Sequence, residues 1–259
     1  MGNKEETVVR LEKKNGAAWL TINRAEKRNA INMAVATQMM EHLERCSTDP
    51  EVKVIMLTAA GDVAFCAGND LTEFKARSDD PFKVREFDQA VLKMQEGIRT
   101  FPKVVVAVVN GFCLGGGITM LGACDLALAS DRAEFGLPEV TRGTWPAMAT
   151  TTLMHTLQRK HAFYLIFTGK RVSANEAVAM GLINKVVPQA ELNNAAEEWA
   201  QAMAASDAEV LEWSKKIAYD SLRMDYERSL EYGLFASQAF RGISGHFDKG
   251  ISAFLKKDS

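Results

Sequence analysis

The chain opens on two short runs in which apolar and polar positions alternate, "TVVRLEK" and "AAWLTIN". Alternation with a period of two predicts strands. Asn15-Gly16 between them is a hairpin signal, because both residues tolerate the left-handed backbone that a tight turn demands. The pattern then lengthens. Met33 to Cys46 repeats with helical spacing and is stopped by the polar "STDP", which predicts a helix. "VKVIMLTA" reads as a buried strand. "AGDVAFCAGND" reads as a loop with three glycine or Ala-Gly breaks, and a second helix is predicted over roughly Pro81 to Thr100. Val104 to Val109 is the next buried strand, and it runs into a glycine turn. "DLALAS" is a further strand-like run ahead of "DRAEFGLPEV". From Ala147 onward the pattern is mostly helical. Within it, "VSANEAVAMGLINKVV" reads as a capped helix, Gly181 and a short strand.

Strands alternating with helices over the first two-thirds predict an α/β chain with parallel strands and right-handed crossovers. The helical last third is either a small separate layer or an oligomerisation face. No segment is rich enough in Pro, Gly or Ser to mark a linker, and no repeat of solenoid period is present.

Composition narrows the function classes. The 259 residues are 47% hydrophobic and 25% charged, with a formal net charge of −2. This is the balance of a soluble globular protein and suggests no nucleic-acid surface. The longest apolar runs, such as Val104 to Val109, are far too short to span a bilayer, so no membrane partner is expected. "MGNKEETVVR" is charged and lacks the apolar stretch of a secretory signal, and Glu6 stands where a myristoylation motif requires Ser or Thr. Cys46, Cys66, Cys113 and Cys124 show no CxxC spacing and lie in apolar contexts, as buried thiols of a reducing compartment do. A cytoplasmic protein is expected.

The candidate chemistry centres on "NGFCLGGGITMLGACD". Gly115, Gly116 and Gly117 do not complete a dinucleotide fingerprint, because Met120 occupies its last glycine position. They do not complete a P-loop either, because Ala123-Cys124 stand where Lys-Ser/Thr belongs. What remains is a strand feeding a glycine turn that opens a helix, where unpaired N–H groups meet the positive end of the helix dipole. The alternative is glycines that let strand and helix pack closely. "AFCAGNDLTEF" has similar character: Gly68 frees the backbone, and Asp70 or Asn69 is placed to cap a following helix. Two such loops can aim two N–H groups at one oxygen, an arrangement worth about 2.7–4 kcal/mol per donor in acyl-transfer sites. No GxSxG nucleophile motif is present, and "GISGH" has the wrong spacing. No metal-ligand spacing involves His42, His155, His161 or His246, which lie in helical patterns as ordinary surface or packing residues. Glu139 follows Pro138 in an apolar, turn-rich segment. It is either desolvated, with the raised pKa a general acid–base needs, or a solvated loop residue, or paired with Arg142.

Together these segments resemble the crotonase superfamily, the enoyl-CoA hydratase/isomerase family. "TINRAEKRNAIN" is similar to its first signature, "AFCAGNDLTEF" to its first oxyanion loop and "NGFCLGGGITMLGACDLALAS" to its second. "AEFGLPEVTRGTWP" resembles the segment that bears a catalytic glutamate, and "FTGKRVSANEAVAMGLINKVV" and "DKGISAFLKK" resemble later landmarks. The resemblance implies a crotonase-like spiral of repeated ββα units over residues 1–200. It implies a C-terminal helical region over 201–259 used for trimerisation and as a pocket lid. A homotrimer or homohexamer acting on an acyl-CoA thioester follows, with coenzyme A carried as part of the substrate and neither a separate cofactor nor a metal.

By motif position, the N–H groups of Asn69 and Gly116 would hold the thioester oxygen and Glu139 would carry the proton. Ala67, Asn69, Asp70 and Leu71 would lie along CoA, with Arg24, Lys27 and Arg28 near its nucleotide. For the three basic residues a solvated charged loop is the alternative. Phe240 and Lys257 match C-terminal positions that reach CoA, sometimes on a neighbouring subunit.

One departure matters. Hydratases of the family use two glutamates, and the position of the first holds Thr119 here. A threonine positions water or a substrate hydroxyl but is no carboxylate base. One glutamate suffices to isomerise 3-enoyl-CoA to 2-enoyl-CoA, which is therefore the leading expectation. Ala147 leaves no carboxylate just after the Gly-x-x-Pro turn, where some isomerases carry theirs. Hydratase or hydratase-lyase activity on 2-enoyl-CoA thioesters, aromatic ones included, comes second. Decarboxylation and thioester hydrolysis share the remaining enzymatic readings, and a non-catalytic CoA-binding or assembly protein is the reading of a different class.

Overall fold

The structure is a computed structural model that describes residues 7–243. The chain divides into two compact units, the division falling after Ala204.

The first unit begins with the predicted hairpin. β1 (Val9–Lys14) pairs antiparallel with β2 (Ala17–Ile22). Asn15 and Gly16 both take positive φ, 51° and 80°, as the tight turn requires. α1 (Met33–Ser47) follows, its first turn capped by the Asn32 side chain, which accepts from the Val35 N–H. A repeating path then sets in. β3 (Val54–Ala59) and β4 (Ala64–Cys66) lead to α2 (Leu71–Arg77) and α3 (Pro81–Arg99). β5 (Val104–Val109) and β6 (Phe112–Leu114) lead to α4 (Gly116–Ala123). β7 (Leu126–Ser130) and β8 (Glu134–Gly136) lead, through a 3-10 turn at Val140–Arg142, to α5 (Ala147–Thr156).

In each repeat the first strand joins one sheet and the second joins another. β3, β5 and β7 are consecutive parallel neighbours in a six-stranded sheet of order β1-β2-β3-β5-β7-β10. β4, β6 and β8 are consecutive parallel neighbours in a four-stranded sheet ending in β9. Each ββα turn therefore advances one strand in both sheets, which is a spiral. α6 (Arg159–Thr168), β9 (Val172–Ser173), α7 (Ala174–Met180), β10 (Lys185–Val187) and α8 (Leu192–Ala204) complete the unit. α7 opens on a capping box between Ser173 and Glu176 and closes at Gly181 with φ 80°, as its sequence predicts.

The apolar runs of β3 and β5 lack alternation because both of their faces are buried. Ile55, Leu57, Val105 and Ala107 enter the main core with α1 and α3. Val54, Met56, Val106 and Val108 face the other way, onto Leu192, Ala195, Ala196 and Ala200 of α8. The three-residue strands β4 and β8 lie inside segments whose sequence reads as loop. Three residues are too few to show a period.

The second unit holds α9 (Ala208–Ser221), capped by Asp207, and α10 (Tyr226–Ile243). Tyr232 donates its hydroxyl to Asp220, joining the two helices. No helix among the described residues is long and apolar enough to cross a membrane.

The start of α4 tests the packing of the spiral. A Cβ on Gly117 would stand 2.5 Å from the Cys66 carbonyl oxygen at the end of β4, and backbone cannot yield cheaply. Gly117→Ala is expected to lose about 1–3 kcal/mol of stability, measured by urea denaturation.

Candidate active site

Parallel alignment places the C-terminal ends of β4, β6 and β8 on one edge of the small sheet. The residues that follow those ends are Ala67–Asp70, Gly115–Gly117 and Leu137–Glu139. Three segments remote in sequence thereby converge.

The first two come unusually close. Gly68 has φ 101°, and a Cβ there would lie 3.3 Å from the Leu114 carbonyl and 3.5 Å from the Gly116 nitrogen. A Cβ on Gly116 would lie 2.8 Å from Asn69 Oδ1 and 3.5 Å from the Asn69 nitrogen. Among the described residues no turn, loop or cap hydrogen bond uses the N–H of Asn69 or of Gly116. Gly116 is the first residue of α4, whose leading N–H groups have no intrahelical acceptor. Gly115, at the cap, has φ 54° and ψ −117°, a conformation open to glycine.

The third segment brings Glu139 to the same place. A Cβ on Gly115 would stand 2.5 Å from Glu139 Oε1, so the carboxyl lies directly over the bare glycine. Glu139 caps the 3-10 turn, and its carbonyl accepts from the N–H groups of Arg142 and Thr144. Its Oε2 is buried with no hydrogen-bond partner. Burial raises the pKa of this carboxyl above the ordinary glutamate value, only partly offset by its own backbone N–H and the Arg142 charge. Among the described residues Glu139 and Arg142 form no ion pair, so of the readings left open by the sequence the desolvated one describes this residue.

The three glycines thus differ in task. Gly115 gives room to Glu139, Gly116 to Asn69, and Gly117 to β4. The sequence left open two readings, access to the bare backbone and close strand–helix packing, and did not separate the three positions.

Thr119 lies one helical turn into α4 and is 5% exposed. Asp70, rather than Asn69, caps α2, accepting from the N–H groups of Thr72 and Glu73. Ala67 is half-buried, and its N–H is held by the Arg28 carbonyl at 3.1 Å. Leu71, the first residue of α2, is exposed. Lys27 and Arg28 are exposed on the loop before α1. Arg24 departs from the expectation of a basic side chain offered outward, and equally from that of a solvated loop. It is 9% exposed and donates to Asp70 Oδ2 at 2.9 Å and to the Ala30 carbonyl at 2.6 Å. No sequence signal announces this pair, because its members are 46 residues apart. Phe240 belongs to the second unit, where its ring meets Trp213 edge-on at 5.8 Å. Lys257 and His246 lie outside the described residues. His42, His155 and His161 sit on α1, α5 and α6, away from these three loop segments in sequence.

Residues 12–259 match the model of the family described as Enoyl-CoA hydratase/isomerase. The chain belongs to this family. It is 34% identical over 252 residues to a short-chain-enoyl-CoA hydratase of Clostridium acetobutylicum, covering 96% of this chain and 95% of that one. It is 33% identical over 261 residues to a hydroxycinnamoyl-CoA hydratase-lyase of Pseudomonas fluorescens, covering 97% and 93%. Among solved structures, human enoyl Coenzyme A hydratase domain-containing protein 3 superposes with a TM-score of 0.91 at 29% identity, covering 96% of this chain and 98% of that chain. The ββα spiral is therefore the crotonase fold, and the chain is an enzyme of the enoyl-CoA hydratase/isomerase type.

Glu139 links this site to stability. A carboxyl whose folded pKa is raised contributes stability below its unfolded value, and that contribution is lost as pH rises through the folded value. From about pH 4, the ordinary glutamate value, up through its raised folded value, the wild type is expected to lose stability relative to Glu139→Gln as pH increases. Parallel denaturant titrations of the two proteins check the sign.

Proposed function

We propose that the chain takes an acyl-CoA thioester through an enolate, with the N–H groups of Asn69 and Gly116 as donors to the thioester oxygen and Glu139 as the only acid–base group. The observation that carries this reading is the Glu139 carboxyl. It is desolvated and unpartnered at Oε2, and it lies over Gly115 at the head of α4. A carboxylate in that setting accepts a proton from carbon more readily than a solvated one. The adjoining amides and helix end favour the negative charge that then develops on the thioester oxygen.

The reaction that this inventory completes unaided is isomerisation of 3-enoyl-CoA to 2-enoyl-CoA. The Glu139 carboxylate takes a proton from C2, and the C–H electron pair moves into a dienolate whose charge rests on the thioester oxygen. The same carboxyl returns the proton to C4, leaving the double bond between C2 and C3. No water, metal or second acid is consumed. Exposed Lys27 and Arg28 are suited to the phosphates of CoA, and Ala67, whose N–H donates to the Arg28 carbonyl, and Leu71 flank the segment Gly68–Asp70.

Hydration of 2-enoyl-CoA is the second reading. Two observations favour it: relatives across nearly the whole chain are named hydratase and hydratase-lyase, and Thr119 carries a hydroxyl able to hold water or a substrate hydroxyl. Assembly into homotrimers or hexamers fits the exposed apolar spacing of Tyr226, Leu230 and Leu234 along α10.

The conjugated thioester absorbance separates the two reactions. A rise with 3-hexenoyl-CoA shows isomerisation, a fall with 2-hexenoyl-CoA shows hydration, and silence with both despite CoA binding removes both readings. Glu139→Gln is expected to lower kcat by about 10²–10⁴-fold, with acyl-CoA binding retained by calorimetry. Full turnover in that variant would exclude Glu139 as the proton carrier.

A further inference from the structure

The Asn69 amide is held from behind by a short splint, residues 28–31. The Ala67 N–H donates to the Arg28 carbonyl at 3.1 Å, the Ile31 N–H to the Gly68 carbonyl at 2.8 Å, and the Asp70 N–H to the Ile31 carbonyl at 2.8 Å. Ile31 and Asn69 form a parallel bridge. Along extended backbone, successive N–H groups point to opposite sides. With its neighbours on both sides tied to Ile31, the Asn69 N–H is turned away from the splint, and its nitrogen lies near Gly116.

One side chain fastens both members of this arrangement. Arg24 Nη1 donates to the Ala30 carbonyl of the splint, and Nη2 donates to Asp70 Oδ2 of the loop. The two oxygens of Asp70 divide their work. Oδ1 caps α2 through Thr72 and Glu73, while Oδ2 is taken by Arg24. Asn29 supports the clamp, accepting from the Arg24 N–H through Oδ1 and donating to the carbonyls of Ala60 and Ala64. The pair is nearly dry, with side chains 11% and 8% exposed. A planar guanidinium bonding two acceptors at once fixes their relative placement in a way a lysine ammonium does not.

We propose that Arg24, acting through Asp70, is a positioning residue that sets the direction of the Asn69 N–H. This role rests on the reading of that N–H as a donor to the thioester oxygen. Arg24 touches no reacting atom. It fixes the peptide on the C-terminal side of Asn69, and a shift of about 1 Å in such a donor is enough to cost on the order of a hundredfold in rate.

Infrared difference spectra of bound butanoyl-CoA, carbon-13 labelled at the thioester carbonyl, test the role without turnover. In the wild type the carbonyl band is expected to fall below that of the free ligand, and in Glu139→Gln it should stay lowered because that variant keeps both amides. Arg24→Lys and Asp70→Asn are each expected to lose at least about half of the shift. Their kcat on whichever enoyl-CoA is turned over should drop about tenfold to a hundredfold, with KM changed less than about threefold.

Asp70→Asn leaves the Arg24 charge buried without its partner, and Arg24→Lys keeps the charge but loses the fork, so Arg24→Gln with Asp70→Asn provides a neutral pair. It should recover the wild-type melting temperature without recovering the carbonyl shift or kcat. A purely structural pair would recover all three together. A full shift and full kcat in folded variants overturn the positioning role alone. A bound wild-type ligand with no shift at all overturns the amide reading, and this role with it.

Discussion

The site depends on two stretches of backbone that pass within reach of each other's Cβ positions. Gly68 and Gly116 lie so near each other that a Cβ on either would press on the opposite main chain or on Asn69. The approach follows from the topology. β4 and β6 are parallel neighbours, so both chains leave the small sheet at the same edge and turn into helices there. Glycine at the crossing is destabilising in isolation, because it loses more backbone entropy on folding than any other residue. The crossing itself calls for it, since Gly68 takes φ 101° and a Cβ on Gly116 would meet Asn69 Oδ1. The third parallel neighbour, β8, brings Glu139 to that edge. Three consecutive turns of one spiral therefore supply two amides and a carboxyl to a single place.

Two carboxyl groups near this edge are driven in opposite directions. Burial pushes Glu139 upward with no cation close enough to reverse it. Burial also opposes ionisation of Asp70, but the Arg24 guanidinium and the N–H groups of Glu73 and Thr72 outweigh it and hold that carboxyl below the usual range. Asp70 is thereby a fixed anion suited to anchoring, and Glu139 a poised one suited to exchanging a proton. Similar side chains acquire different work from their surroundings alone.

How much of this was legible in the sequence varies with the range of the interaction. The Asn15-Gly16 turn, the Asp70 cap and the Ser173 box are local, and their residues announce them. The buried strands announce themselves by unbroken apolar runs. β4 and β8 do not, because three residues carry no period and their pairing partners lie far along the chain. Glu139 was legible as a carboxylate in an apolar turn, but its desolvation depends on Gly115, which comes from another repeat. Arg24 was the least legible. In sequence it belongs to a basic cluster with Lys27 and Arg28, whereas in the fold its guanidinium turns inward to a partner that only the spiral brings within reach.

A site with one poised carboxyl constrains its own chemistry. A group that gives up a proton must regain one before the next turnover. In isomerisation it regains the proton it removed, so the cycle closes without solvent. In hydration the group that takes a proton from water and the group that delivers one to carbon need not be the same. Thr119, which by sequence resemblance matches the first glutamate of the family's hydratases, is a buried residue of α4, and a hydroxyl can relay or position a proton but cannot store one at neutral pH. Any hydration performed here must therefore route both transfers through Glu139 or borrow an ionisable group from the substrate. A substrate bearing its own acidic hydroxyl supplies that group. On the proposed reading, the single carboxyl divides the possible substrates by chemistry: non-conjugated enoyl thioesters need one proton moved between two carbons, while conjugated ones need Glu139 to serve both water and carbon or must bring an ionisable group with them.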